Sequence, residues 1–194
     1  MKLVEEEKIS LNDPVNKYLP LKIGQPGKTI TIHHLLTHSS GIASLNTAVI
    51  SIRKKALQKE SWVPMSSKKD FYRYINKAKD EIVAEPGKRF LYLNAGYNML
   101  GDIIEKISKM KYHQYIKEKI LKPLEMDRST FLEEEFEKDP DRMTPYWRNK
   151  EGKMIKTKHP ADELVYAPGG LLSSVEEFSN YIIASINKGK YKET

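Results

Sequence analysis

The strongest constraint on the fold is a helix signal that follows directly behind a turn. From Asn94 to Lys109 the large apolar residues keep helical spacing and share one face, with Leu100, Ile103, Ile104 and Ile107 on it. The preceding segment, KRFLYLNAGY at 88–97, comes just after the turn dipeptide Pro86-Gly87. The pattern therefore predicts an amphipathic helix that is entered through a polar-aromatic segment.

Helical spacing recurs along most of the chain, whereas strand signals are few. The other predicted helices span Met1–Lys8, Ile32–His38 with Thr31 as its cap, Leu45–Lys59, Ser67–Lys79, Lys111–Leu121, and a last helix through Ile186 that opens with the capping box Ser174-Val175-Glu176-Glu177. The predicted strands are Arg128–Leu132 and a hairpin from Tyr146 to Ile155. No linker or repeat divides the sequence, which predicts one mainly helical domain.

Composition argues against several classes of function. The net charge is +7 over 194 residues, but the lysines are spread among acidic neighbours, unlike the clustered basic patch of a nucleic-acid-binding protein. The lack of cysteine excludes disulfides, thiolate metal sites and a cysteine nucleophile. No apolar stretch is as long as a membrane span, and the first residues do not read as a signal peptide. The compartment stays open, and we predict no cofactor.

The spacing Ser-x-x-Lys matters because it can place a neutral lysine amine beside a serine hydroxyl, where the amine accepts the proton during nucleophilic attack. It occurs at Ser51/Lys54, Ser66/Lys69, Ser108/Lys111 and Ser185/Lys188. About two such matches are expected by chance in so lysine-rich a chain. Each pair also lies in a polar setting that keeps the lysine protonated. None of these pairs is therefore predicted to be the nucleophile.

His33, His34 and His38 form a histidine cluster, and His34 and His38 are one helical turn apart, a spacing that can bind a metal. No nearby acidic residue supplies a third ligand. A structural role, with the ring hydrogen-bonded to backbone at the helix end, is therefore favoured, and no metal site is predicted. His38 beside Ser39 and Ser40 also suggests a Ser-His dyad, but side chains adjacent in sequence rarely face each other.

Tyr92 is the strongest single candidate for chemistry. A tyrosine in the turn before a helix can project its phenol into a cleft, and near a cationic lysine it can take part in acid–base work. The same residue can equally be an ordinary buried tyrosine. The residue types alone leave both interpretations open.

Several segments together resemble one family, the serine hydrolases of the class C β-lactamase and penicillin-binding-protein type, with related esterases and D-amino-acid peptidases. In the family's order, the matching segments are 3–6, 10–15, 18–20, ITIHHLLTHSSG at 30–41, Pro86-Gly87 with Phe90, YLNAGY at 92–97, LKPLEM at 121–126 and Gly169-Gly170-Leu171. Each is weak alone, but they cover almost the whole chain and are jointly specific.

The resemblance implies an α/β fold of the β-lactamase/transpeptidase type, of which this chain covers mostly the helical subdomain with few short strands. Tyr92-Leu93-Asn94 is similar to the family's Tyr-x-Asn motif. This similarity implies that Tyr92 helps to move protons between nucleophile, lysine and leaving group, and that the Asn94 amide binds the substrate's carbonyl side chain. It also implies that Pro86-Gly87 sets the turn that presents the motif, and that the helix from Tyr97 onwards anchors it. The implied partner is a small-molecule or peptide acyl substrate: an ester, a β-lactam or a D-amino-acid amide.

The chain departs from the family pattern at both ends. The family's nucleophilic Ser-x-x-Lys is expected about three helical turns before Met1, and its third motif well after Thr194. Residues 1–194 are therefore expected to be a single partial domain that is inactive alone, because covalent catalysis needs the nucleophile. Within the chain, Glu7 and Glu125 stand where the family often has glycine.

Two alternatives from other classes stay open. One is a non-catalytic binding or regulatory module on the same helical scaffold, and the other is a small metal-binding protein that uses His34 and His38. A partial domain would also expose apolar faces, which predicts self-association.

Overall fold

The computed structural model describes residues 1–45, 67–149, 151–157, 159 and 162–192. The helices in these ranges are α1 (Lys2–Glu5), α2 (Ile32–Leu36), α3 (Lys68–Lys77), α4 (Asn94–Ser108), α5 (Tyr112–Ile116), α6 (Glu133–Lys138), α7 (Glu163–Gly169) and α8 (Val175–Ile186). Strands β1 (Tyr146–Arg148) and β2 (Met154–Lys156) form an antiparallel pair. The helix predicted over Leu45–Lys59 lies outside the described residues, except for its first residue.

Three of the described helices start at hydroxyl side-chain caps, of which the sequence predicted those of α2 and α8. The hydroxyls of Thr31, Ser67 and Ser174 each accept a hydrogen bond from the N–H three residues further on. The predicted capping box at the start of α8 is only half formed. Glu177 does not reach back to its cap but accepts a hydrogen bond from the N–H of Arg128 at 2.8 Å, so it ties α8 to a distant loop.

Helix ends differ more from the prediction than helix starts. α2 ends at Leu36 rather than His38, because His38 has a left-handed φ of 53° that cannot continue a helix. The predicted helix over Lys111–Leu121 changes at Lys117 into a π-helical turn that runs to Leu121. α6 and α7 were not predicted.

The two strand predictions have different outcomes. The hairpin is confirmed, and Gly152 in its turn has a φ of 79° that favours glycine. The strand predicted at Arg128–Leu132 is wrong, because within it only Thr130 pairs, in an isolated antiparallel bridge with Leu172. A single bridge forms where folding brings two distant segments together. The alternation of apolar and polar residues within one segment does not determine this.

The core is built around α4, which packs against α2, α5 and α7. The α4 residues buried deepest are Ala95, Met99 and Ile103, spaced four apart, while the predicted face members Leu100 and Ile107 pack at the edge of the core. A Cβ at Gly101 would lie 2.9 Å from the Ala167 Cβ, so the missing side chain lets α4 and α7 approach closely. None of the helices in the described part of the chain is long and apolar enough to cross a membrane.

Two glutamates occupy backbone positions that favour glycine. Glu7 has a φ of 56° and Glu125 a φ of 54°, both in the left-handed region. This conformation costs about 1 kcal/mol for a residue with a side chain. Glycine at either position would avoid this cost.

Candidate active site

A tight turn at Glu85–Lys88 brings the chain to the candidate site. The Lys88 N–H donates to the Glu85 carbonyl at 3.1 Å, and Gly87 has a φ of 82°, which is typical of the third residue of a type II turn that has proline second. The Gly87 N–H also donates to the Ser39 carbonyl at 2.7 Å. The expected role of Pro86-Gly87 as the turn in front of the motif agrees with this geometry.

The chain after the turn is extended and is bonded along one edge to His38. The Leu91 N–H donates to the His38 carbonyl at 2.7 Å, and the Leu93 N–H donates to Nδ1 of the His38 ring at 3.1 Å. In an extended chain alternate side chains point to opposite sides. Accordingly Leu93 is buried, whereas Phe90 and Tyr92 are 69% and 54% exposed.

A second set of backbone hydrogen bonds joins residues 41–43 to residues 81–84. The N–H groups of Val83 and Ala84 both donate to the Gly41 carbonyl, at 3.0 and 3.3 Å, and the Ala43 N–H donates to the Glu81 carbonyl at 2.8 Å. Residues 41–43 and 81–84 thus run together like a short piece of sheet. Together with the bonds to Ser39 and His38, they fix the segment that leads into α4 against the segment that follows α2.

Tyr92 and Asn94 lie side by side at the start of α4. The Tyr92 hydroxyl donates to Oδ1 of Asn94 at 3.1 Å. Because Tyr92 is more exposed than buried, the interpretation of an ordinary buried tyrosine is wrong. The bond to Oδ1 sets the plane of the Asn94 amide and leaves its Nδ2 donors pointing away from the phenol. The pair therefore offers a hydroxyl on an exposed side chain next to an oriented amide donor.

His38 lies beneath this pair. The centroid of its ring lies 4.5 Å from that of Tyr92, 5.0 Å from that of Tyr97 and 5.7 Å from that of Phe90. The Tyr97 hydroxyl donates to the Leu36 carbonyl at 3.1 Å, so the first turn of α4 is also held to the end of α2. Burial among these rings lowers the pKa of His38 below its ordinary value, because the charged ring loses hydration.

His34 and His38 each use a ring nitrogen for a backbone contact. Nδ1 of His34 accepts from the Thr31 N–H at 3.2 Å at the start of α2, just as Nδ1 of His38 accepts from the Leu93 N–H after its end. Both rings thus have the structural role that the sequence favoured. Residues 1–45 and the other described ranges hold no group of three or more potential metal-ligating side chains.

The candidate serines lie elsewhere or have other partners. Ser108 is the last residue of α4, about 21 Å along the helix from Asn94 at 1.5 Å per residue. The Ser185 hydroxyl donates to a carbonyl of its own helix. Ser40 is buried and accepts from the Ile42 N–H, and the Ser39 hydroxyl is bonded to that of Thr37. The Ser51/Lys54 pair and Ser66 lie outside the described residues.

Sequence reasoning missed the link between His38 and the Tyr92 segment. The local signal was present, because Gly41 shortly after the end of α2 indicates a turn there. The partner, however, lies 55 residues further along the chain, and no local pattern identifies it.

The architecture and the site together define a class of protein. A mainly helical unit that presents an exposed tyrosine and an asparagine two residues apart, at the start of its central helix, corresponds to the helical subdomain of the β-lactamase/transpeptidase-like fold. The family model for "Beta-lactamase" matches residues 1–193. The chain belongs to the beta-lactamase family of serine hydrolases and penicillin-binding proteins.

Known relatives agree with this assignment. The "octameric penicillin-binding protein homologue" from Pyrococcus abyssi has a solved structure that superposes with a TM-score of 0.87 at 44% identity, over 98% of this chain and 42% of that one. "Protein flp" of Staphylococcus aureus (strain MW2) is 32% identical over 197 residues, which are 99% of this chain and 37% of the relative. "D-alanyl-D-alanine-carboxypeptidase/endopeptidase AmpH" of Escherichia coli (strain K12) is 28% identical over 68% of this chain and 32% of the relative. The chain thus spans about two fifths or less of the length of these relatives.

Proposed function

We propose that Tyr92 and Asn94 form part of the active site of a serine hydrolase that works through an acyl-enzyme. The proposed substrates are esters, β-lactams or D-amino-acid amides. In this proposal the nucleophilic serine and its lysine come from outside residues 1–194, either in the same polypeptide or in a second one. Residues 1–194 alone then bind substrate weakly and do not turn it over.

The observation that carries the proposal is the exposed side chain of Tyr92, whose hydroxyl lies 3.1 Å from Asn94 Oδ1, on a segment that Gly87, Leu91 and Leu93 bond to Ser39 and His38. A phenol that transfers protons must reach solvent or substrate and must also be held still. Tyr92 meets both conditions. An amide whose oxygen is already occupied presents its N–H donors, which suit a carbonyl group on the substrate.

The proposed reaction has two stages, formation of the acyl-enzyme and its hydrolysis. The serine oxygen attacks the carbonyl carbon of the substrate while its proton passes to a neighbouring base. The bond to the leaving group breaks, and Tyr92 returns a proton to the leaving atom. Water then attacks the carbonyl carbon of the acyl-serine while one of its protons passes to the base. The bond to the serine oxygen breaks, which releases the free acid and restores the serine hydroxyl. The net reaction is the hydrolysis of one ester or amide bond.

Intact mass spectrometry tests where the nucleophile lies. Residues 1–194 and the longer polypeptide, meaning these residues joined to the adjoining coding sequence, are each incubated with a fluorophosphonate and with a penicillin. We expect no adduct on residues 1–194 and a stoichiometric adduct on the longer polypeptide. An adduct on residues 1–194 would mean that a serine of this chain, such as Ser39 or Ser40, is activated. No adduct on either would favour the non-catalytic binding module.

We also propose that the chain associates with copies of itself through an apolar stripe on α8. Val175, Phe178, Ile182 and Ile186 lie within about 80° of one another around the helix at 100° per residue, and Val175 is 89% exposed. Exposed apolar patches of this kind are typical of protein interfaces. The octameric state named for the Pyrococcus abyssi homologue supports the same proposal.

A further inference from the structure

The position of Tyr92 and Asn94 depends on one residue that belongs to neither α4 nor the motif. We propose that neutral His38 is the positioning residue of the site: it holds the Tyr92–Asn94 pair by accepting the Leu93 N–H on Nδ1 and by packing its ring beneath Tyr92. This inference rests on the proposed function for its effect on catalysis. Its structural part stands on the contacts alone.

The backbone on both sides of Tyr92 is bonded to His38. The two residues that flank Tyr92 in the extended segment both donate their N–H groups to His38, Leu91 to its carbonyl and Leu93 to its ring. Leu93 is the residue immediately before α4, and no side chain caps this helix start. The His38 ring therefore fixes the point from which both Tyr92 and Asn94 project.

The His38 ring also packs against the rings of Tyr92 and Tyr97. The planes of the His38 and Tyr92 rings are tilted by 38° with centroids 4.5 Å apart, and those of His38 and Tyr97 by 31° at 5.0 Å. Such spacing is within the range of favourable ring contacts. The left-handed φ of His38 lets its carbonyl and its ring face the same segment. Moving this ring would remove the support under the Tyr92 phenol.

The contact with Leu93 requires His38 to be neutral, with Nδ1 unprotonated. A ring nitrogen that accepts an N–H bond cannot itself carry a proton, whereas both nitrogens of the imidazolium are donors. Protonation at Nδ1 would thus turn the bond to Leu93 into a repulsion. Within the described residues, the side chains that pack against the ring are the phenols of Tyr92 and Tyr97 and the ring of Phe90, and their burial of His38 disfavours the imidazolium. The surroundings therefore favour the neutral ring that the link requires.

The contact between His38 and Leu93 should be lost at low pH. The pKa of His38 is lowered in the folded chain by burial, so the unfolded chain binds the proton more readily. The stabilisation that the link provides is complete above the ordinary pKa of histidine, near 6.5, and is lost as the pH falls through the lowered pKa of the folded chain. At low pH the Tyr92–Asn94 pair should lose its position before the protein unfolds.

The first test needs no catalysis. In residues 1–194, NMR spectra follow the Leu93 amide proton and the Tyr92 ring resonances as the pH is lowered from 8 to 5. We expect both to shift with the same midpoint as the His38 ring, and His38→Asn to abolish the shift. Leu93 and Tyr92 chemical shifts that do not change as His38 titrates would overturn the proposal.

The second test uses kcat and KM of the longer polypeptide between pH 5 and 8. Asparagine can place Oδ1 where the histidine has Nδ1, and it tolerates a positive φ. His38→Asn should therefore keep activity within about 3-fold at pH 8. It should also remove the part of the decline in activity at acid pH that depends on His38. His38→Gly keeps the backbone free of strain but removes the acceptor, and should lower kcat by about 100-fold. His33→Gln, at an exposed position of α2, is the matched control and should change neither value.

The two proposals fail differently. If Tyr92→Phe lowers kcat but His38→Gly does not, His38 is not the positioning residue while the proposed function stands. If Tyr92→Phe has no effect, the proposed function fails, and the NMR titration still decides whether His38 holds the segment.

Discussion

The α-carbon of Gly41 lies so close to the carbonyl oxygen of Ala84 that a Cβ at Gly41 would be 2.1 Å from that oxygen. Gly41 also has a φ of 84°, which only glycine adopts at low cost. Gly41→Ala should therefore destabilise the fold by about 2–4 kcal/mol, through backbone strain and displacement of the Ala84 segment. Urea unfolding measures this, with Gly24→Ala as the control because a Cβ at Gly24 meets nothing within 4 Å. Equal losses in both variants would contradict the close approach.

The charged cluster between α3 and α4 gives a second prediction. Lys68 forms an ion pair with Asp102 at 2.6 Å and another with Glu105, and the two carboxylates are 13% and 22% exposed. Burial is the largest influence on the pKa of Glu105 and raises it. The hydrogen bonds from Lys68 and from the Tyr112 N–H, with the charges of Lys68 and Lys111, together outweigh burial and lower the pKa.

Lys68→Met would leave two carboxylates close together without their cation. We expect a loss of about 1–3 kcal/mol, less than for a fully buried pair because the Lys68 side chain is 36% exposed. The loss should be larger at pH 7 than at pH 3, where protonation removes the repulsion. Lys69→Met, at the exposed neighbouring position, is the control in the same unfolding series. A loss that is independent of pH would indicate packing rather than charge.

Acid stability should depend on Asp13. The Ser10 N–H, the Tyr18 hydroxyl and the Lys17 ammonium all donate to its carboxylate and lower its pKa to about 2. The stabilisation that comes from this lowered pKa is complete above pH 3.8 and is lost as the pH falls towards 2. Asp13→Asn should flatten the stability curve in that window, while the exposed control Asp80→Asn should leave it unchanged. Circular dichroism during acid titration makes the comparison.

The two residues of the Tyr-x-Asn pair should affect different kinetic constants. In the longer polypeptide, Tyr92→Phe should lower kcat by about 10²- to 10³-fold with little change in KM, because proton transfer is lost while binding persists. Asn94→Ala should lower kcat/KM by about 10- to 100-fold, mostly through KM. Tyr146→Phe is a matched control, since Tyr146 is 56% exposed on the hairpin. A fall in Tm without a kinetic effect would instead assign both residues a purely structural role.

Self-association can be tested on the apolar stripe of α8. The double change Val175→Ser and Ile186→Ser replaces two of its most exposed apolar side chains and should shift residues 1–194 from oligomer towards monomer. Sedimentation velocity at several protein concentrations measures the change. Val83→Ser, at a half-exposed position away from α8, is the control. An unaltered chain that is monomeric at every concentration would contradict the proposal.

Local signals predicted a large part of the fold. α3 and α4 were predicted from apolar periodicity, α8 from periodicity and its cap, and the hairpin from its turn. These features depend on residues within a few positions of one another. Sequence reasoning missed α7, because Pro168 and two glycines at its end conceal a helix that is held by packing against α4. It also placed a strand at Arg128–Leu132, where the chain forms only a single bridge.

The sequence by itself determined the helical character of the chain, its main caps and turns, and the neighbouring pair Tyr92 and Asn94, because each of these depends on contacts within a few residues. Only the tertiary structure decided that Tyr92 is exposed and that its segment is held by His38, 55 residues earlier in the chain. A ring nitrogen can serve as a metal ligand, a base or a hydrogen-bond acceptor with equal ease. Which of these His38 becomes depends on the group that folding brings opposite to it, and here that group is the N–H of Leu93.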